Sequence, residues 1–357
     1  MSSEPGVAAV AAGGTGGHIF PALAVAHALE RRGWTVVWLG NSSGLEAKIA
    51  AQNGIALCDV AFGQVRGKGW RRWFALPAAL IAATGRAVRG LRAHRVSVVA
   101  TFGGYVSVPA ALAAKRLRLP LVIHEQNARA GLANRVLAPL ADRVLAAFPN
   151  GLRRAQVVGN PVRETIVAQG EPQLRYRCRE GPLRLLVLGG SLGAQRLNRL
   201  VPLALRLLAP SQRPMVRHQT GECDYEATVA AYREAGVAAQ CEPFIVEMGS
   251  ALAASDWVLC RAGAMTVSEV AAVGVAAHFV PYPYAVDDHQ YANAQWLVAR
   301  DAALVTREAD LTPERLAEWL RTASRADAAR IAERAYALGI RDAQVRIAEV
   351  IEEMTHR

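Results

Sequence analysis

Short apolar runs and segments of helical period alternate along most of this 357-residue chain, a pattern that predicts parallel sheets joined by crossover helices. Val7 to Ala12 reads as a strand, GGTGGH as a turn, and Pro21 to Arg31 as a helix. Trp34 to Leu39 follows as a strand, then Ser43 to Gln52 as a helix that Gly54 stops. Val96 to Thr101 leads as a strand into FGGYVSVPAALAAKRL, and Leu121 to His124 into EQNARAGLANRVLAPLA. The second half restarts the pattern with LRLLVLGGSLGAQRLNRLVPLALRLL: a strand from Leu183 to Leu188, a turn with Gly189, Gly190, Ser191 and Gly193, then a helix. That is an internal repeat of fold. Between the halves, Asn160-Pro161, Gly170, Pro172, Gly181 and Pro182 mark turn and linker chemistry. The prediction is an α/β protein with a boundary near residue 160. A chain of this length exceeds what one core organises, which also favours two domains.

Charge separates the halves. Residues 1–160 hold 19 Lys and Arg against 6 Asp and Glu, a net of +13, and residues 161–357 hold 22 against 24, a net of −2. The excess is densest in Arg66 to Arg95, with eight basic residues and no acid. Trp70, Trp73, Phe74, Leu76, Leu80 and Ile81 are interleaved with Arg71, Arg72 and their neighbours, and helical spacing puts Trp73, Leu76, Leu80 and Ile81 on one face. Two interpretations stand side by side: a solvated basic face over a core helix, or an interfacial patch on an anionic membrane. No nucleic-acid motif accompanies the charge. Five cysteines without a CxxC pair suit a reducing compartment and do not indicate zinc. The N-terminal stretch carries Glu4 where a signal sequence has basic residues, and its apolar part is too short for one. The longest apolar tract, Val270 to Val286, is broken by Gly274, His278, Pro281 and Pro283, so a soluble protein is expected.

Glycines between a strand and a helix let backbone N–H groups and the positive end of the helix dipole face an anion closely. GGTGGH and GGSLGAQ fit that use, one in each half, with Thr15 and Ser191 supplying a hydroxyl. A dinucleotide site fails its own test, because the third glycine of G-x-G-x-x-G is missing and the second strand ends in Gly40-Asn41 with no acid. CRAGAMTVSEVAAVG gives a third strand–turn–helix unit, either a plain helix cap or a diphosphate site with Glu269 placed for a ribose. PYPYAVDDHQYANAQWL offers Asp287, Asp288, His289 and Gln290 after a proline-stiffened loop, suited to sugar hydroxyls or to capping a helix.

Taken in order, GGTGGHIFPALAVA, FGGYVSVPA, HEQNARAGLANR, GNPVR, GGSLGAQRLN, CRAGAMTVSE and PYPYAVDDHQYANA resemble the MurG family. These bacterial transferases move N-acetylglucosamine from UDP-GlcNAc to undecaprenyl-pyrophosphoryl-MurNAc-pentapeptide, lipid I, in peptidoglycan synthesis. The resemblance implies a GT-B fold, two Rossmann-like domains with a substrate cleft between them. Residues 1–160, joined by a closing helix at 342–357, would bind acceptor and membrane, and residues 161–341 would bind UDP-GlcNAc. It also implies an inverting displacement by the MurNAc 4-hydroxyl at the cytoplasmic face of the inner membrane, alongside other cell-wall synthesis proteins.

His18 is the leading candidate for the base that this reaction needs, with His124 and Glu125 as competitors. The resemblance puts Thr15, Gly16, Gly17 and Asn127 at the cleft, and Tyr105, His124 and Asn134 on the acceptor side. It assigns the donor to Arg163, Ser191, the Ile245 backbone, Ala264, Met265, Thr266, Val267, Ser268 and Glu269, with Gln290 on the GlcNAc hydroxyls. No DxD triad occurs, so neither a metal nor another cofactor is expected. Other GT-B transferases, a nucleotide-sugar epimerase and a UDP-sugar sensor remain as alternatives.

Overall fold

The computed structural model describes residues 6–63, 69–190 and 193–355, with side chains left aside at 69–75. The chain divides into two compact units, Met1–Pro161 with Asp342–Arg357, and Val162–Arg341.

The first unit is built on seven parallel strands: β1 (Val7–Ala11), β2 (Thr35–Gly40), β3 (Ala56–Asp59), β4 (Val98–Thr101), β5 (Leu121–Glu125), β6 (Arg143–Ala146) and β7 (Ala155–Val157). Their order is β3-β2-β1-β4-β5-β6-β7, so the chain reverses direction across the sheet between β1 and β4. Strand β1 lies in the middle, Val10 flanked by Trp38 of β2 and Ala100 of β4. Its alanines follow from that position. Ala8, Val10 and Ala12 face one helical layer and Ala9 and Ala11 the other. Small side chains on both faces let helices pack close.

One layer holds the helix Gly16–Glu30 and the closing helix Ala343–Glu353. Ile347, Ala348, Val350, Ile351 and Met354 of the latter enter the same core as Val25 and Trp34. Arg32 Nη2 reaches Glu349 at 3.1 Å, and Trp34 Nε1 donates to Glu352 at 3.0 Å. The last residues of the chain thereby complete the first unit. On the opposite layer, the helix Gly69–Ala93 sends Leu76, Leu80, Ala83, Ala87, Val88 and Leu91 into the core. Ile81 is 74% exposed. This corrects the expected face: Leu76 and Leu80 belong to the core side, and Ile81 does not share it. Trp70, Arg71, Arg72, Trp73 and Phe74 lie outside the described side chains.

The second unit has six parallel strands: β8 (Arg184–Leu188), β9 (Met215–Gln219), β10 (Gln240–Glu242), β11 (Trp257–Cys260), β12 (Ala276–Phe279) and β13 (Leu304–Val305). Their order, β10-β9-β8-β11-β12-β13, reproduces that of the first six strands of the other sheet. Both sheets therefore place a topological switch point beside the strand that precedes a glycine turn, β1 in one and β8 in the other. That is where open α/β sheets bind ligands. Among the described residues, no helix is long and apolar enough to cross a membrane.

Candidate active site

In the first unit, the turns that follow β1, β4 and β5 converge. The helix after β1 starts at Gly16 with Thr15 as its N-cap, about five residues before the apolar period announces it. His18 therefore sits in the first helical turn, its N–H donating to Thr15 O at 3.0 Å. Its Nδ1 lies 3.5 Å from Thr15 Oγ1. The β4 turn packs directly on this loop: a Cβ on Gly104, at φ +80°, would lie 2.2 Å from Gly13 O. Only glycine allows that approach. Tyr105 then stands beside Gly14, its hydroxyl accepting from Asn41 Nδ2 at 3.5 Å. Burial, with Glu46 adding to it, raises the Tyr105 phenol above its usual range.

Two candidates for proton transfer are bound to their own loop. Glu125 is buried. Its Oε1 accepts from the Asn127 N–H at 2.9 Å and the Asn127 side chain at 3.2 Å, and its Oε2 from the Gly131 N–H and Asn134 Nδ2, both at 2.9 Å. A carboxylate with four donors fixes residues 127–134 and has little capacity left for a substrate proton. His124 is likewise buried, Nε2 at 2.9 Å from Gly159 O and Nδ1 at 3.2 Å from Gln126 Nε2. Burial pushes it down to about 4, so the ring is neutral and braces two loops. Asn134 is buried and donates to Glu125 and to His124 O. Glu125, His124 and Asn134 thus brace the β5 turn through hydrogen bonds to one another, to residues 126–131 and to Gly159. Thr15 and Gly17 are exposed and His18 is half-buried.

In the second unit, the carboxyl ends of β8, β9 and β11 and the loop after β10 line a cavity of about 160 Å³. Arg163, Ile245, Thr266 and Glu269 line it, together with Gln219 and Arg261, which sequence reasoning passed over. Arg261 follows the apolar run Trp257–Cys260, a signal the sequence offered, whereas Gln219 ends the mixed strand MVRHQ, which offers none. Gln219 donates to Gly190 O at 3.1 Å and accepts from the Ile245 N–H at 3.2 Å. Ile245 therefore has its N–H engaged. Arg261 pairs with Glu308 and donates to Val280 O at 3.1 Å.

The helix Ala264–Val273 begins at the cavity with Gly263 as its N-cap. Ala264, Met265 and Thr266 form its first turn, whose backbone N–H groups point out of the helix. Val267 presents no side chain to the cavity. Its side chain is fully buried and its N–H closes on Gly263 O at 3.0 Å. Ser268 is nearly buried. Glu269 Oε1 accepts from Arg163 at 3.2 Å. Burial raises the Glu269 carboxyl, and the Arg163 charge opposes that rise. Gln290 accepts through Oε1 from the Ala262 and Tyr282 N–H groups at 3.2 and 2.9 Å, so its Nε2 group is the end left for a ligand. Ser191 lies outside the described residues.

Residues 8–146 match the glycosyltransferase family 28 N-terminal domain and residues 184–353 the C-terminal domain of that family. The chain is 50% identical over 354 residues to the UDP-N-acetylglucosamine–N-acetylmuramyl-(pentapeptide) pyrophosphoryl-undecaprenol N-acetylglucosamine transferase of Burkholderia thailandensis, covering 98% of this chain and 96% of that one. The enzyme of the same name from Burkholderia multivorans is 52% identical over 345 residues, covering 96% and 94%. The crystal structure of Acinetobacter baumannii MurG superposes with a TM-score of 0.87 at 38% identity over 98% of this chain and 99% of that one. The chain belongs to the MurG family. It is a glycosyltransferase with the GT-B architecture expected of MurG proteins, a parallel sheet flanked by helices in each unit. CalG4, a calicheamicin glycosyltransferase, shares that fold at 16% identity, with a TM-score of 0.69 over 100% of this chain and 99% of its own.

Proposed function

We infer that the protein transfers N-acetylglucosamine from UDP-GlcNAc to the MurNAc 4-hydroxyl of lipid I, giving lipid II. The observation that carries this is the 50% identity across 98% of the chain to an enzyme named for that transfer. In this assignment the first unit binds the acceptor and the second the nucleotide sugar. The hydroxyl attacks the anomeric carbon directly and inverts it, while His18 takes the hydroxyl proton. Thr15, Gly16, Gly17, Tyr105 and Asn127 shape the acceptor side.

Departing UDP carries two phosphates, and the second unit offers three groups suited to them. These are the helix N-terminus at Ala264 to Thr266, the backbone at Gly190, and the cations of Arg163 and Arg261. Such donors stabilise the leaving group in a metal-independent way. Glu269 accepts from the ribose, the Ile245 carbonyl meets uracil, and Gln290 Nε2 donates to the sugar. The charge asymmetry of the chain supports an anionic membrane surface as partner, at the cytoplasmic face of the inner membrane. Trp70, Trp73 and Ile81 are the apolar candidates for that contact. Leu80 is not.

The test is UDP release from UDP-GlcNAc in the presence of a short-chain lipid I analogue, with and without a chelator. Release that needs both substrates and ignores the chelator is expected. Release without acceptor would mean hydrolysis or epimerisation, and binding without release a sensor.

A further inference from the structure

Gln126 lies between two histidines. His124 Nε2 is 2.9 Å from Gly159 O, and because a carbonyl only accepts, that nitrogen carries the hydrogen. In a neutral ring the other nitrogen, Nδ1, is then an acceptor, and Gln126 Nε2 donates to it at 3.2 Å. This fixes which way the Gln126 amide is turned. Its Oε1 must face the opposite side, where it is buried and meets no hydrogen-bond donor among the described residues. Buried acceptors left without a donor are rare, and each calls for a reason.

The opposite side is the β4 turn. Gly103 has no side chain, and the point where its Cβ would stand is 3.7 Å from Gln126 Oε1, 3.2 Å from His18 Nε2 and 3.0 Å from His18 Cδ2. A glycine at φ +93° thus keeps a small space open between the His18 ring edge and the Gln126 oxygen. The other ring nitrogen of His18, Nδ1, lies on the side of Thr15, which is exposed. For His18 to accept a proton from a substrate on the exposed side, the lone pair must be on Nδ1 and the hydrogen on Nε2. That hydrogen needs an acceptor on the Gly103 side.

We propose that Gln126 is a positioning residue for His18: its Oε1 receives the Nε2–H of His18 through one water in the Gly103 space, and so selects the tautomer whose Nδ1 takes the proton. His124 and Gly159 act one step further out, by holding the Gln126 amide in that orientation. The inference rests on His18 being the base.

The experiment compares kcat, KM and pH profiles of His18→Ala, Gln126→Leu, Gln126→Glu and the His18→Ala, Gln126→Leu double variant, with UDP-GlcNAc and a short-chain lipid I analogue. Gln126→Leu should lower kcat about 10- to 100-fold with little change in donor KM. In the His18→Ala background the same change should cost less than about twofold. Gln126→Glu keeps an acceptor and adds a negative charge near the imidazole, so the acid limb of kcat/KM should move to higher pH. Thermal unfolding separates a folding defect, and where the Leu variant folds poorly the Glu profile carries the test. An equal loss from Gln126→Leu with and without His18, or an unmoved acid limb in Gln126→Glu, overturns the role of Gln126. Near-normal kcat in His18→Ala instead overturns the base assignment itself.

Discussion

Asn134 Nδ2 donates to Glu125 Oε2 at 2.9 Å, and the Gly131 N–H does the same at the same distance. With both Asn127 donors on Oε1, a Glu125→Gln substitution must turn its new NH2 group against an existing donor, whichever way the amide lies. The expected result is a loss of about 1–3 kcal/mol in stability together with a fall in kcat. The acid limb of the rate profile should stay in place. His18→Ala should lower kcat as well, but with denaturant unfolding near wild type. Measuring both quantities for both variants distinguishes a scaffold carboxylate from a base.

The Arg163–Glu269 pair at the nucleotide cavity gives a pH-dependent expectation. Burial raises the Glu269 carboxyl and Arg163 holds it back. If the carboxylate accepts from the ribose, donor affinity falls as pH drops through that raised value. Arg163→Ala removes the opposing charge and should move the fall to higher pH. Glu269→Ala should abolish it and weaken donor binding about 10-fold or more, in keeping with one charged hydrogen bond. Titrating UDP-GlcNAc across pH into the three proteins checks this, and an identical profile in all three would remove Glu269 from the site.

Much of this architecture was legible because strands β1, β4, β8 and β11 are mainly apolar runs that lead into glycine-bearing turns. Such runs mark strands covered on both faces. The helix start at Gly16 was not legible. Two glycines weaken helical propensity, and only tertiary packing on β1 brings His18 into the first turn. Nor did sequence separate Glu125 from His18, since both are polar groups just beyond a strand. What distinguishes them is that the Glu125 side chain meets donors from residues 127, 131 and 134, and no periodicity reports a loop folding back on its own carboxylate. Gln126 was hidden for the same reason, its orientation being set by Gly159, 33 residues away in sequence.

The closing helix offers a prediction about folding. Ile347 and Ile351 are fully buried in the core of the first unit, and Glu352 holds Trp34 Nε1 at 3.0 Å. Ile351→Ala removes buried methylenes and leaves a cavity, so a loss of about 2–5 kcal/mol is expected. Deleting residues 342–357 should expose the face made by Val25, Ala26 and Trp34 and make the first unit aggregate or resist purification. Limited proteolysis checks whether the first unit becomes sensitive while the second stays protected.

Three buried histidines set the acid limit of stability. Burial pushes His124 to about 4, His218 to about 3 and His278 to about 4, from an ordinary 6.5. Each stays neutral in the folded protein at pH values where its unfolded counterpart is protonated. The unfolded state then binds more protons, so the stability these groups contribute is complete above about pH 7. It is lost as pH falls below 6.5, by about 1.4 kcal/mol per pH unit for each histidine, until the folded values are reached. Glu269, raised by burial, works against this by at most one such share. Asp256 joins only below its ordinary value of 3.8, because hydrogen bonds from Arg325, Arg179 and the Arg184 N–H outweigh its burial and hold it low. Between pH 6 and 4.5 the slope is therefore set by histidines, one in the first unit and two in the second. Urea unfolding at pH 8, 6 and 5 should show a decline for the second unit at least as steep as for the first if the two melt separately. His218→Gln, which removes one titrating group, should make that decline shallower whatever it does to stability at pH 8. A stability flat from pH 8 to 5 would mean that these rings are reached by water and take their protons in the folded state.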